Sequence, residues 1–291
     1  MSDKPAIMLG LELPDVDIWS DRVVVALGQN PSSFTGPGTN TYLVGTGSER
    51  ILLDCGQGLE EYLPVLDDAL TRAGCRIQEI VLTHGHVDHI GGAGSVIDRH
   101  GALRVSKFPW APFDEPWPVD VTPIGDGDVV RTEGATLRAV HTPGHAADHL
   151  CYVLEEERSI FSGDNVLGVG TTVIPVDGGD LLDYMTSLER LQAEVPTAIY
   201  PAHGPKIEDG PGKLREYIAH RNAREQEIVA ALGAGDHLVP EIVERVYAAY
   251  PKALHGAARM SVCSHLLKLE REGHATRDGE TPLDARWSIR S

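Results

Sequence analysis

The strongest chemical signal in this sequence is the motif HGHVDH at residues 84–89, which directly follows the strand-like run IVLT. In extended chain the side chains of His84 and His86 point to the same side. Asp88 and His89 follow where two glycines turn the chain into a helix. Four donors able to bind a metal ion therefore converge, and their spacing favours a metal site. The alternative is a solvent-exposed, histidine-rich turn.

Three further candidates stand at the ends of strand-like runs: His145 in HTPGH, Asp164 in FSGD and His203 in YPAHG. A single histidine at such a position is usually an ordinary surface or core residue, but all three after an HxHxDH motif favour a shared site. Together these residues supply five histidines and two aspartates. That donor set suits two cations of the zinc kind and leaves positions open for water, whereas a structural zinc site would use cysteines.

These side chains must be positioned by an α/β framework, because strand-like and helix-like patterns alternate up to about residue 205. Apolar residues at helical spacing predict helices over residues 59–73 and 181–193. The predicted strands are 23–27, 41–45, 51–55, 80–83, 136–142, 150–155, 159–164 and 198–204. The candidate ligands fall at the ends of strands, where α/β folds place their sites.

The framework contains two similar strand–helix–strand units. In the first unit one strand ends in Asp54 and the next in His84. In the second unit one strand ends in Asp164 and the next in His203. Chance resemblance between short apolar strands is common, so internal duplication and coincidence both stay open. In either case both units deliver an acid and a histidine to strand ends.

Beyond residue 205 the pattern becomes helical. The predicted helices are 213–232, 240–250 and 260–272. The tail that follows contains Asp278 and Gly279, a pair that favours a hairpin turn and therefore a two-stranded wing. We predict a first domain over residues 1–205 and a winged-helix-like domain over residues 206–291.

Charge restricts the class of substrate. The 291 residues include 43 Asp and Glu against 25 Lys and Arg, which gives a net charge of −18. Residues 1–205 hold 30 of these acids and 12 of the bases, whereas residues 206–291 hold 13 of each. An acidic first domain repels phosphate backbones at long range, so a polyanionic substrate would depend on bound metal or on the neutral C-terminal domain.

Cysteine usage and hydropathy predict the cellular location. Cys55, Cys75, Cys151 and Cys263 form no CxxC pair, and we expect all four to be unbridged. The first residues carry neither a secretory nor a transit pattern, and no apolar run reaches the roughly 18 residues that span a bilayer. We therefore expect a cytoplasmic protein with no membrane partner.

The ligand series resembles that of the metallo-β-lactamase superfamily, whose HxHxDH motif, later His, Asp and final His occur here in the same order. The resemblance implies an α/β fold, a four-layer αββα sandwich of two similar halves. The ligands that it implies are His84, His86 and His145 for one metal, Asp88, His89 and His203 for the second, and Asp164 as a bridge between both. True β-lactamases of the superfamily typically lack this aspartate, so antibiotic hydrolysis is expected to be weak or absent.

Longer segments look like the β-lactamase-like protein 2 family over nearly the whole chain. These segments are QNPSSFTGPGTNTYLVGTG (29–47), HTPGHAADH (141–149), FSGDNVLG (161–168), YPAHGP (200–205), YIAHRNAREQEIV (217–229) and HLLKLEREG (265–273). Animal members of that family are endoribonucleases acting on single-stranded RNA, and related fungal members are thioesterases that release polyketides from a carrier protein. The resemblance therefore implies cleavage of single-stranded RNA as the leading prediction, with hydrolysis of an acyl thioester or another acyl ester as its rival.

The expected mechanism is the same for both substrates. Two zinc ions, with manganese or iron as other candidates, would share a water, lower its pKa toward about 7 and deliver a bridging hydroxide to phosphorus or carbonyl carbon. Asp88 and His149 are the predicted catalytic residues, with Asp148 and His149 facing the cleft as a proton-donating or product-binding pair. Asp54 is expected to accept a hydrogen bond from a ligand histidine. The loop 30–40 would overhang the metals as a lid or serve as a plain connection.

Cations on the C-terminal helices could follow an RNA backbone. They are Arg221, Arg224, Arg259, Lys268 and Arg271. A solvated helical face is the alternative, and neighbouring glutamates dilute the positive potential. A non-enzymatic interpretation also stays open at this point, in which the protein is a metal-containing RNA-binding module.

Overall fold

The computed structural model describes residues 10–111 and 113–290. Residues 1–9, part of the segment expected to lack a targeting peptide, lie outside the described residues. The first sheet consists of β1 (Val16–Ser20), β2 (Val23–Leu27), β3 (Asn40–Val44), β4 (Glu49–Leu53), β5 (Arg76–Val81), β6 (Val105–Lys107) and β7 (Val121–Pro123). The second sheet consists of β8 (Val129–Thr132), β9 (Ala135–His141), β10 (Leu150–Leu154), β11 (Ser159–Gly163) and β12 (Ile199–Pro201).

The remaining elements are helical, apart from a C-terminal pair of strands. The helices are α1 (Tyr62–Ala73), α2 (Val87–Ile90), α3 (Ala93–His100), α4 (Leu181–Ala193), α5 (Gly210–Gly233), α6 (Val239–Val246) and α7 (His255–Arg271), with a short 3-10 helix at Lys252–Leu254. The last two strands are β13 (Ala275–Asp278) and β14 (Arg286–Ile289).

Both sheets mix antiparallel and parallel pairs. In the first sheet the strands lie in chain order, antiparallel from β1 to β4 and parallel from β4 to β7. In the second sheet β8 to β11 are antiparallel, and β12 pairs parallel with β11. Every residue of β2, β3, β10 and β11 is buried, because both faces of each sheet are covered.

The two sheets pack face to face, with helices on both outer faces. Their shared core joins residues such as Val25 and Tyr42 of the first sheet to Leu137 and Tyr152 of the second. Helices α1 and α3 cover the outer face of the first sheet, and α4 with the first half of α5 covers that of the second. This arrangement is the predicted αββα sandwich.

Local sequence accounts for the helix ends. Helix α4 has the predicted bounds, and the carboxylate of Asp180 caps it by accepting from the backbone N–H of Asp183. Helix α1 begins at Tyr62 rather than at Leu59. Pro64 thereby falls in the first turn, where its missing N–H has no partner to lose.

The C-terminal part forms a helical core with a two-stranded wing. Helices α5, α6 and α7 pack around the fully buried Trp287 of β14. The wing differs from the prediction at its turn, because Asp278 pairs with Arg286. The strands are therefore joined by residues 279–285 and not by a two-residue Asp-Gly turn.

One long helix belongs to both parts of the chain. Leu214 and Tyr217 in the first half of α5 pack on α4, whereas Ile228 and Leu232 in its second half lie in the C-terminal core. A boundary at residue 205 stays a prediction.

Cys55, Cys75, Cys151 and Cys263 are all free, as expected. Among the described residues, no helix combines the length and the apolar character needed to cross a membrane.

Candidate metal centre

The HGHVDH motif lies between the end of β5 and α2. His86 is extended and occupies the N-cap position of α2, whose first turn contains Asp88 and whose last turn contains His89. The glycines after the motif allow this turn to pack tightly. A Cβ atom at Gly92 would lie 2.0 Å from the carbonyl oxygen of Cys55, so a larger residue would push the motif away from β4.

The structure brings all seven candidate ligands together. They form two groups, His84, His86, His145 and Asp164 in one, and Asp88, His89 and His203 in the other. Within each group the donor atoms all lie within 4.8 Å of one another. This is the donor arrangement of a binuclear metal centre. Its first and last ligands in the sequence, His84 and His203, are 119 residues apart.

Asp164 stands between the two groups. Its Oδ2 lies 3.4 Å from Nε2 of His145. Its Oδ1 lies 3.1 Å from Nε2 of His203 and 3.5 Å from Nε2 of His89. One carboxylate oxygen therefore faces each group, as a bridging ligand would require.

In the first group three imidazole nitrogens point at one another. Nδ1 of His86 lies 2.9 Å from Nε2 of His84 and 3.0 Å from Nε2 of His145. Nδ1 of His145 donates to the carbonyl oxygen of Val173 at 2.8 Å, so its Nε2 carries a lone pair. Burial and the neighbouring His145 lower the pKa of His86 to about 4. Three ring nitrogens that converge on one point are satisfied together by a shared cation.

In the second group, neighbouring carboxylates require a positive charge to balance them. Nδ1 of His89 donates to Asp54 at 2.8 Å, which leaves the buried Nε2 without a hydrogen-bond partner and facing Asp88 and Asp164 at 3.4 and 3.5 Å. Burial lowers the pKa of His203, but the two carboxylates outweigh it and raise that pKa to about 9. A proton or a metal ion must therefore balance these carboxylates, and the donor set fits a metal.

Asp54 makes the predicted contact with a candidate ligand. Its carboxylate is 1% exposed and accepts from the backbone N–H of Thr83 at 2.8 Å, from the hydroxyl of Thr83 at 2.9 Å and from Nδ1 of His89. Its backbone has a φ of 60°, a conformation that Asp tolerates better than most residues. The Asp54 carboxylate is therefore buried and orients the ring of His89.

His149 and Asp148 do not face the cleft, contrary to the expectation. Both are fully buried. The ring of His149 donates from Nδ1 to Thr142 at 3.0 Å and accepts at Nε2 from the backbone N–H of Asp164 at 3.1 Å. Burial, followed by His145, lowers the pKa of His149 well below its usual range. With both ring nitrogens engaged, His149 holds the backbone at Asp164.

Sequence reasoning missed the partner of Asp148. The buried ammonium of Lys107 lies 2.6 Å from Asp148 and 2.8 Å from Asp114. Gly85, inside the HGHVDH motif, lies against this cluster, since a Cβ there would approach both Asp148 and Lys107. The aromatic run KFPW beginning at Lys107 is the signal that could have indicated a special segment beside the motif.

The loop 30–40 lies beside the second group. The Thr39 hydroxyl is 3.4 Å from Asp88, and the Asn40 side chain donates to the carbonyl oxygens of Pro201 and Gly204 on either side of His203. The base of the loop therefore contacts the site and is tied to it. Whether the loop acts as a lid stays a prediction.

The C-terminal cations do not form the free basic face that RNA tracking would need. Arg221 and Arg224 are buried because their guanidinium groups reach backbone carbonyls. Lys268 is paired with Glu225 and Glu272, and Arg271 with Asp180 and Asp183. Arg259 is exposed. The alternative of a solvated helical face is likewise wrong for the buried Arg221 and Arg224, and Lys268 and Arg271 are neutralised by ion pairs.

Two family models match the chain. Residues 34–203 match the metallo-beta-lactamase superfamily, and residues 239–287 match the beta-lactamase associated winged helix domain. Two solved structures share the fold: a beta-lactamase domain protein from Burkholderia ambifaria (TM-score 0.80, 20% identity, 98% of this chain and 97% of that chain) and a metallo-beta-lactamase family protein from Thermus thermophilus (0.73, 24%, 91% and 98%). Both matches extend over the sandwich and the C-terminal part.

Curated relatives are more similar in sequence. The chain is 42% identical over 259 residues to the Beta-lactamase-like protein 2 homolog of Caenorhabditis elegans, covering 87% of this chain and 86% of the relative. It is 44% identical over 220 residues to an atrochrysone carboxyl ACP thioesterase of Paecilomyces divaricatus, covering 76% and 67%, and 39% identical over 290 residues to the lactamase-like protein adaB of Aspergillus niger, covering 94% and 88%. The chain belongs to the metallo-β-lactamase superfamily, as a hydrolase that carries the associated winged helix domain.

Proposed function

We propose that this protein is a binuclear metal-dependent hydrolase of acyl thioesters. The observation that carries the substrate class is a set of exposed apolar side chains on segments that contain or contact the proposed ligands. A second observation is that Lys107, the cation beside the HGHVDH turn, is buried between two carboxylates. Acyl thioesters are therefore the first candidate substrate, and single-stranded RNA is the second.

The proposed ligands are the seven residues predicted from the sequence. His84, His86 and His145 would hold one cation, Asp88, His89 and His203 the other, and Asp164 would lie between both. The mixture of imidazole and carboxylate donors suits zinc, with manganese or iron as other candidates. Bound cations of this kind polarise a carbonyl or phosphoryl group and lower the pKa of water.

The chain's own residues then orient the reactants. Burial raises the pKa of Asp88, but His89 and His203 outweigh burial and hold that pKa well below its usual range. Asp88 is therefore a carboxylate at neutral pH, and we propose that it accepts a hydrogen bond from the attacking water. For His149, whose ring is sealed from the cleft, the proposed contribution to catalysis is to hold Asp164 in place.

Four exposed apolar side chains are each linked to the site. Phe34 is 71% exposed and Phe113 is 52% exposed. Phe34 belongs to the loop that contacts Asp88, and Phe113 shares with Gly85 of the HGHVDH motif a cavity of about 330 Å³ that Pro116 and Trp117 complete.

The other two are valines next to proposed ligands. Val87 lies inside the motif, and the carbonyl oxygen of Val173 accepts from His145; the two side chains are 49% and 47% exposed. Exposed apolar groups on segments that carry a polar centre favour a ligand that is apolar near its reacting bond. An acyl chain joined to a thioester has that character.

Electrostatics favour the same class. Lys107, whose ammonium lies beside Gly85 of the HGHVDH turn, is fully buried between two carboxylates. It therefore offers no charge to a phosphate backbone. A neutral acyl group, unlike a phosphate backbone, is not repelled by the acidic first domain. Similarity to a relative named as an acyl carrier protein thioesterase also supports an acyl thioester substrate.

RNA cleavage stays the second candidate because the chain also resembles a Beta-lactamase-like protein 2 homolog over most of its length. Exposed phenylalanines such as Phe34 and Phe113 can also stack on unpaired bases. A cytoplasmic location is likewise proposed, on the support of the free cysteines.

The test is a parallel hydrolysis assay on purified protein. Octanoyl and benzoyl thioesters of pantetheine are compared with single-stranded RNA, each with zinc, with a chelator and with the Asp164→Ala variant. The proposal expects thioester turnover that both the chelator and the variant abolish. Metal-dependent RNA cleavage without thioester turnover would support RNA as the substrate instead. A metal-loaded protein that is inactive on thioesters and on RNA would refute both candidates.

A further inference from the structure

Three successive backbone carbonyls in the segment between β11 and α4 accept hydrogen bonds from three different parts of the molecule. Arg221 of α5 donates to Thr172 O at 2.7 Å. His145 donates from Nδ1 to Val173 O at 2.8 Å. The hydroxyl of Ser264 on α7 donates to Ile174 O at 2.9 Å.

The middle bond determines the orientation of a proposed metal ligand. With Nδ1 of His145 held by Val173 O, and also 3.3 Å from the hydroxyl of Thr172, Nε2 is directed at His86 and Asp164. A hydrogen bond to the far nitrogen of an imidazole fixes both its tautomer and its ring rotation. The position of the Val173 carbonyl therefore decides where the lone pair of His145 points.

The two outer bonds come from the C-terminal helices and are shielded from water. Thr172 and Ile174 are 4% and 3% exposed, and Arg221 and Ser264 are 6% and 5% exposed. The guanidinium of Arg221 also lies 5.3 Å from the ring centroid of Tyr184 on α4. These buried bonds hold the segment from both ends, with the His145 contact between them.

We propose that the C-terminal helices position His145 for metal binding through residues 172–174, with Arg221 and Ser264 as positioning residues. This inference rests on the proposed metal centre. The second group of ligands gives it a specific signature. His89 is oriented by Asp54, so loosening the segment should weaken one metal site and leave the other unchanged.

The test is a titration of metal-free protein with zinc, read by calorimetry, alongside thermal unfolding. Ser264→Ala removes the outer donor without adding bulk, and Arg221→Lys keeps the charge but changes the reach of the donor. The matched control is Arg271→Ala, which breaks the ion pairs between α7 and Asp180 and Asp183 and leaves the three carbonyl bonds in place.

For Ser264→Ala and Arg221→Lys we expect one of the two sites to lose about tenfold to a hundredfold in affinity, with the other site and Tm close to the wild type. Arg271→Ala should keep both affinities. The proposal is overturned if both sites of the two variants match the wild type, or if both sites weaken equally. A wild-type protein that binds no zinc would refute the proposed function itself, which is a different result from either of these.

Discussion

Phe113 gives a quantitative test of the proposed acyl substrate. Its side chain is 52% exposed, which leaves about 100 Å² of a phenylalanine free for contact. If an acyl chain in the adjoining cavity covers about half of that area, at about 25 cal/mol per Å², the contact contributes about 1.3 kcal/mol. Phe113→Ala should therefore raise KM for an octanoyl thioester about tenfold.

The assay compares acyl chain lengths in one protein. KM and kcat are measured for octanoyl and acetyl thioesters with the wild type, Phe113→Ala and Ile18→Ala. Ile18 is an equally apolar and exposed side chain, 66% exposed, on the distant strand β1, so its removal controls for a general change in surface character. Zinc content is measured for each protein, because Phe113→Ala should not alter it.

The acetyl substrate decides the outcome. If the cavity receives the far end of the octanoyl chain, an acetyl group lacks the carbons that would contact Phe113, so its KM should stay within about twofold of the wild type. An equal loss on octanoyl and acetyl thioesters, or no loss on either, would refute the assignment of this cavity to the acyl chain.

Three further predictions follow from the buried contacts. Asp54→Asn removes the acceptor that orients His89 and should weaken that zinc site about tenfold to a hundredfold by calorimetric titration; equal weakening of both sites would contradict this role. Burial lowers the pKa of His265 to about 4, so from about pH 6.5 down to about pH 4 protons bind this residue more strongly in the unfolded chain. When the pH is lowered from 7 to 5, the free energy of unfolding measured with urea should therefore fall by about 2 kcal/mol more in the wild type than in His265→Gln. Parallel pH profiles for the two proteins would argue against this role of His265. Lys107→Met leaves the buried Asp148 without its cation and should destabilise the fold by about 3 kcal/mol, with Asp148→Asn in the same chain restoring part of Tm; no recovery would exclude a purely electrostatic cause.

The sandwich was predictable because its central strands are continuous apolar runs. Segments such as VVVAL and LCYVL are buried along their whole length, and burial on both faces leaves that mark on a sequence. The strands β1, β6, β7 and β8 were not predicted. They are three to five residues long, which is too short for an apolar run or an alternating pattern to stand out.

The proposed ligands were predictable for a chemical reason. Five histidines and two aspartates at strand ends are unusual residues for such positions, and their types alone indicate a metal. The sequence could not show how deeply each candidate residue is buried. Asp148 is buried against Lys107, 41 residues away in the sequence, and His149 is buried between Thr142 and the backbone of Asp164.

The same limit applies to the C-terminal cations. Arg221 looks like a surface residue of a charged helix, but it reaches Thr172 O in a segment 49 residues away. Hydrophobic spacing identifies α5 as a helix, but the helix contacts both the sandwich and the C-terminal core. Arg221 and Arg224 are therefore buried at a junction that no local sequence pattern indicates.

The binuclear centre is tested most directly by the number of metal ions bound per chain, measured by native mass spectrometry after zinc loading. We expect two ions for the wild type, one for His145→Ala and one for His203→Ala, because these residues belong to different donor groups. Circular dichroism verifies that each variant is folded. A wild type without metal, or folded variants that both retain two ions, would contradict the binuclear centre.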